Sequence, residues 1–212
     1  MHKHVLNGIA VMAASTLVTA CVSFPDQATT RQLAEAAVKS SFTAPSPAML
    51  GRLDQDPSQK ICSKIGDAKL DEAEAAQVVA LARASFQYPA SGKLVGDWKV
   101  GERLAHDGAG DRIQGGKLEA RKENGGLCQN CHELAPDEIN VGNIGPSLTG
   151  YALQRGSSDA TAKLTYERIY NGWAFAPCSN MPRLGATGHL KPDQIAHLVA
   201  YLLDPRSPIN KR

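Results

Sequence analysis

Cys128-Gln129-Asn130-Cys131-His132 is the stretch on which the reading of this chain turns. Two thiols separated by two residues lie on consecutive faces of one turn, with a histidine directly after them. This is the attachment pattern of a c-type haem. Each thiol can add to one of the two vinyl groups of a single porphyrin as a thioether, and His132 then falls beneath the iron, where a ring nitrogen can take one axial position. Other uses of two close cysteines fit less well. A zinc site needs further Cys or His ligands at suitable spacing, and Cys62 and Cys178 are isolated. A thioredoxin-like pair follows a strand in a βαβ setting, which is absent here. A disulfide across so short a loop is strained. The motif predicts one covalent haem c on Cys128 and Cys131, with His132 as an iron ligand.

The second axial position points to methionine, of which the chain has four. Met1 and Met12 belong to the leader, and Met49 sits in a Pro and Ser break at Pro45-Ser46-Pro47. Met181 is left, in Cys178-Ser179-Asn180-Met181-Pro182, a loop about fifty residues after His132. A helical methionine is usually core filling, whereas a loop methionine before proline suits ligation. A thioether opposite an imidazole closes the iron, favours its ferrous form and suits electron transfer rather than gas or substrate binding. The loop Gly142-Asn143-Ile144-Gly145-Pro146-Ser147-Leu148 fits the same site. Pro146 can lie against the His132 ring, and a carbonyl there can accept its N–H.

The rest of the chain reads as helices and loops. Helical composition covers 31–42, then 67–86, where Leu70, Val78, Leu81 and Phe86 are spaced for one face and Pro89 ends the run. Shorter helices are predicted over 98–107, 161–173 and 192–203, the last with Pro192 at its first position and Ile195, Leu198, Val199 and Leu202 along one side. The intervening 108–126 and 140–150 read as loops, with no alternating strand pattern and no repeat. An all-α, loop-rich domain of about a hundred residues has little apolar surface of its own to bury. A large flat cofactor supplies the missing core.

The chain has 212 residues, 42% of them hydrophobic, enough for one domain and an extension. Lys and Arg total 23 against 21 Asp and Glu, and no polybasic tract suggests nucleic acid as a partner. The first twenty residues, with Lys3 and an apolar run from Val5 to Val18, read as an export signal over 1–20. Val18-Thr19-Ala20 before Cys21 fits either a lipobox, in which Cys21 is diacylated and anchors the body to a membrane, or ordinary cleavage nearby. Both place the protein in the periplasm. Residues 29–90 read as a helical extension and 91–208 as the haem domain.

Over roughly 96–205 the sequence resembles class I cytochromes c. That fold has a first helix, the CxxCH turn, a Gly-Pro-x-Leu loop, a distal methionine and a last helix crossing the first. Gly101 matches the small residue at the crossing and Tyr201 its aromatic partner. Ala105 stands where an aromatic is usual, and 108–126 is a long insertion. With Asn124 to Cys128, Gly142 to Leu148, Tyr170-Asn171-Gly172-Trp173-Ala174, Pro177 to Arg183 and Leu198 to Pro205, the chain resembles the SoxX family, the monohaem subunits of SoxAX complexes in thiosulfate oxidation. The resemblance implies a SoxA-like cytochrome partner, monohaem or dihaem, that holds the sulfur-handling cysteine. It also implies transient contact with a SoxYZ-like carrier and onward transfer to a small acceptor cytochrome. The chain is then the electron-transfer subunit of an L-cysteine S-thiosulfotransferase, with no catalytic residue of its own. The alternative is a free-standing electron carrier of another respiratory chain. Cys62 and Cys178 are the thiols left over in an oxidising compartment, and a disulfide between them is the expectation; the rival is a free, reactive Cys178.

Overall fold

The computed structural model describes residues 25–44, 50–64, 70–121, 123–135, 137–139 and 142–211. The leader, Cys21, Met1, Met12, Met49 and the break at 45–47 lie outside the described residues. The chain divides into two bodies, 1–40 and 41–212. Helix α1 (Gln27–Ser41) accounts for the described part of the first, and Asp26 accepts the Thr29 N–H at its start, 2.8 Å away. Its residues are exposed throughout, Leu33 and Val38 included.

In the second body the elements run α2 (Pro57–Cys62), α3 (Glu72–Ala84), α4 (Trp98–His106), the strands β1 (Arg112–Gln114) and β2 (Lys117–Glu119), α5 (Tyr151–Arg155), α6 (Asp159–Tyr170) and α7 (Pro192–Leu203). Among the described residues four single 3₁₀ turns lie before, between or after them: Gly51–Leu53, Cys128–Asn130, Gly172–Ala174 and Pro208–Asn210. The all-α reading holds, apart from one small antiparallel hairpin.

Helices begin where a side chain can take up the unpaired N–H groups of the first turn. Asp56 caps α2 through the Gln59 N–H, and the Gln59 side chain returns the bond to the Asp56 N–H. Asp71 caps α3 and Ser158 caps α6, so these helices start at 72 and 159; the expected start at 67 lies outside the described residues, and that at 161 is two residues late. Helix α6 stops at Tyr170 because Asn171 turns extended, at φ −153°, and its side chain caps the next turn instead. The helices α2 and α5 were not expected. Each is a five- or six-residue piece, too short for a periodic pattern to emerge.

The hairpin corrects the reading of 108–126 as loop. Gly115 and Gly116 both hold positive φ, +58° and +75°, the pair of conformations a tight two-residue hairpin turn needs. Strands of three residues are too short to show alternation. Thr43 adds to the edge: its N–H donates to the Gly116 carbonyl and its carbonyl accepts from Leu118.

The core is built where α4 crosses α7. Leu104, Ala105, Ile195, Leu198, Val199, Tyr201 and Leu202 meet there, with Tyr166, Ile169 and Tyr170 of α6 completing the cluster. Gly101 sits at the closest point. A Cβ at that position would lie 2.6 Å from the His197 carbonyl carbon and 2.8 Å from the Tyr201 Cβ. Ala105 is fully buried, and the next residue, His106, sets its ring edge-on to Tyr201 with centroids 6.1 Å apart. Helix α3 buries Val78 and Ala82 and packs on the turn Gly172–Ala174, in the same body as the haem motif.

Candidate functional site

The motif turn is held from two sides before any cofactor is considered. From the α4 side, the N–H groups of Gly125, Gly126 and Leu127 donate to the carbonyls of Ala109, Leu104 and Asp107. From the α7 side, Asn124 donates to the His189 carbonyl, His189 bonds the Gly125 carbonyl, and Gln194 donates to the Asn124 carbonyl. Leu127 holds φ +43°, a left-handed conformation unusual for a branched side chain, and it starts the turn Cys128–Asn130.

Three backbone bonds then strap the following loop onto this turn. Gly142, Gly145 and Leu148 donate to the carbonyls of Gln129, Cys131 and Glu133, each at 2.8 Å. Such closeness leaves no room for a side chain at Gly145, where a Cβ would come within 2.5 Å of His132 Nδ1. The strap brings the Pro146 carbonyl to 2.7 Å from His132 Nδ1. A carbonyl only accepts, so Nδ1 carries the proton and the Nε2 lone pair is left bare. Among the described residues nothing bonds Nε2. That is the tautomer a haem ligand requires, and its partner is the backbone carbonyl of Pro146.

Cys128 and Cys131 are both unpaired and half-buried. Burial pushes the Cys128 thiol up to about 11, and the neighbouring Cys131 acts in the same direction. Cys128, Leu148 and Met181 all pack, partly buried, against the one core cluster. Gly172 backs the methionine: a Cβ there would sit 3.4 Å from Sδ. One thiol and a thioether pack against a single apolar cluster, and the second thiol and the bare imidazole nitrogen follow on the same attachment turn. That donor set fits a covalently held haem, whose ring would complete the core.

Cys62 and Cys178 form a disulfide with Cα atoms 5.5 Å apart, tying the end of α2 to the loop that carries Met181. A second tie runs parallel to it. Arg183 is buried, pairs with Asp56 at 2.7 Å and lies over the Trp173 ring, 4.3 Å from its centroid. Sequence reading missed this group; the Asp56-Pro57-Ser58-Gln59 cap signal could have exposed α2, but nothing local links Asp56 to Arg183.

On the other side of the motif, His106 reaches Glu138 at 2.7 Å, and Glu138 also accepts the Leu134 N–H. Burial works against the imidazolium, but hydrogen bonds to the Glu102 carbonyl and Glu138 outweigh it and raise the His106 pKa. A raised folded pKa means the pair stabilises fully below the ordinary histidine value of 6.5 and stops doing so as pH climbs through the raised value. Denaturation of the haem-loaded protein and of Glu138→Gln at about pH 5.5 and about pH 8.5 checks this. The stability gap is expected to narrow at the higher pH, leaving only the Leu134 bond; equal gaps would refute it.

Residues 123–204, which include the whole motif, its strap and Met181, match the model of the cytochrome c family. An uncharacterized lipoprotein of Aquifex aeolicus (strain VF5) is 45% identical over 157 residues, 74% of this chain and 73% of its own length. No helix among the described residues is long and apolar enough to cross a membrane. The chain therefore belongs to one family with that lipoprotein and carries a cytochrome c domain of class I fold, which binds haem c covalently and transfers electrons.

Proposed function

We propose that the chain holds one haem c on Cys128 and Cys131, with His132 and Met181 as axial ligands, and serves as the electron-transfer subunit of a SoxAX-type complex. The observation that carries the closed-iron reading is the packing of Cys128, Leu148 and Met181 against one buried cluster. It sets the thioether loop and the attachment turn on the same core. The SoxX resemblance at Pro177 to Arg183 and Leu198 to Pro205 supports the finer assignment. In the proposed reaction a carrier cysteine thiol and thiosulfate join through a new sulfur–sulfur bond. The thiol proton passes to solvent, and two electrons leave. A SoxA-like partner handles the sulfur; this haem takes the electrons one at a time and passes them to a small acceptor cytochrome. The lipoprotein relative supports a lipidated Cys21, which would hold the body at a periplasmic membrane surface.

Co-purification from the native source tests the reading. The expected result is a stable heterodimer with a second c-type cytochrome that is reduced by thiosulfate in the presence of the carrier, and an intact mass for this chain of processed, lipidated polypeptide plus one haem. A monomer indifferent to thiosulfate would overturn the complex and leave a free-standing carrier.

A further inference from the structure

We infer that Arg183, Trp173 and Asp56 are positioning residues for Met181, a clamp that keeps the thioether at the iron; this rests on the axial ligation proposed above. The loop is bracketed residue by residue. Three positions before Met181, Cys178 is bonded to Cys62 at the end of α2. Two positions before it, the Ser179 carbonyl accepts the Trp173 indole N–H at 2.8 Å. Two positions after it, the Arg183 guanidinium covers the face of that same indole and pairs with Asp56. Asp56 divides its carboxylate: one oxygen caps α2 through the Gln59 N–H at 2.8 Å, the other takes Arg183 at 2.7 Å.

The indole is thus the centre of the clamp, fixed on one side by its own turn. Asn171 caps that turn and donates to Ser85 at the end of α3, and Gly172 in the turn backs the Met181 sulfur. A methionine is flexible and an uncharged ligand, so its occupancy at the iron depends on how narrowly the loop is confined beforehand. Helix α2 pairs through Asp56 at its start and crosslinks through Cys62 at its end, and these two contacts hold Arg183 and Cys178 on either side of Met181. A guanidinium this buried persists only while it is paired, so losing Asp56 frees both Arg183 and the loop. Lysine in its place keeps the charge but not the flat face against the indole.

The test compares haem-loaded Arg183→Gln, Arg183→Lys, Asp56→Asn and Trp173→Phe with the unmodified protein, each well below its own unfolding temperature. Met181→Ala supplies the reference for lost ligation. The readouts are the far-red thioether-to-iron absorption of the ferric protein and its reduction potential. Arg183→Gln is expected to lose about half or more of the band and to lower the potential, with Arg183→Lys and Asp56→Asn in between. Trp173→Phe removes the indole N–H to the Ser179 carbonyl and leaves a smaller aromatic face for Arg183, so it gives the answer if Arg183→Gln fails to fold; a loss of band is expected there too. Variants that unfold at lower temperature yet keep full band and potential would reduce the group to a fold brace and overturn the inference. An unmodified protein without the band would overturn the methionine assignment and the clamp together.

Discussion

Substituting alanine for Gly101 is expected to cost the domain about 3 kcal/mol or more. In an ordinary helix interior the same change gains roughly 0.5–1 kcal/mol, because glycine has more backbone freedom to lose on folding. Here the sign reverses. The new methyl would overlap the His197 carbonyl oxygen and stand 2.6 Å from its carbon. That neighbour is helix backbone, which cannot rotate aside as a side chain can. To admit the methyl, α4 and α7 must separate, and Leu104, Ala105, Leu198 and Tyr201 lose contact together. Gly51 is the matched control. It has nothing within 4 Å of an added Cβ and no positive φ, so Gly51→Ala should stay within about 0.5 kcal/mol. Chemical denaturation of the haem-loaded variants decides; Gly101→Ala no more harmful than Gly51→Ala would refute the crossing argument.

Replacing both Cys62 and Cys178 by serine is expected to remove about 3–5 kcal/mol. The bond joins residues 116 apart, and closing so long a loop removes much of the freedom of the unfolded chain. One local term opposes it: Cys178 holds φ +59°, a left-handed conformation that costs a non-glycine residue roughly 1–2 kcal/mol. Relief of that conformation in the loosened loop keeps the loss from reaching the upper end. The double change avoids leaving one thiol free. Matching denaturation curves for the unmodified protein and the double variant, differing by less than about 1 kcal/mol, would show that the folded loop is held without the crosslink.

How far the sequence discloses this molecule depends on the range over which each feature is written. The motif at 128–132 is local, and so are the glycines of 142–145 and the apolar side of α7. Each is legible because the chemistry and its signal occupy the same few residues. The crossing of α4 and α7 is long-range, but Gly101 and Tyr201 mark it through resemblance. What stays hidden is coupling between distant charged and aromatic residues. Asp56 and Arg183 look like ordinary surface residues until the fold places them together, and His106 gives no sign that Glu138 will meet it. The hairpin is hidden for a different reason. Its strands are shorter than the two-residue period needs to declare itself, although Gly115-Gly116 could have marked its turn. The fate of 50–89 is a third case. Nothing in its composition distinguishes a free arm from a segment tied to the Met181 loop through Asp56 and Cys62, because its few buried residues are spaced as in any amphipathic helix.

The bond between Cys62 and Cys178 also encloses the haem-bearing turn within its loop. A protease that cuts the chain once anywhere between 63 and 177 therefore produces two pieces that remain one covalent molecule. The piece carrying Met181 stays fastened to the piece that begins the chain, whichever of them retains the haem. For an extracytoplasmic carrier exposed to peptidases, a nick in the inserted hairpin or the strap is a wound that does not by itself shed the redox centre.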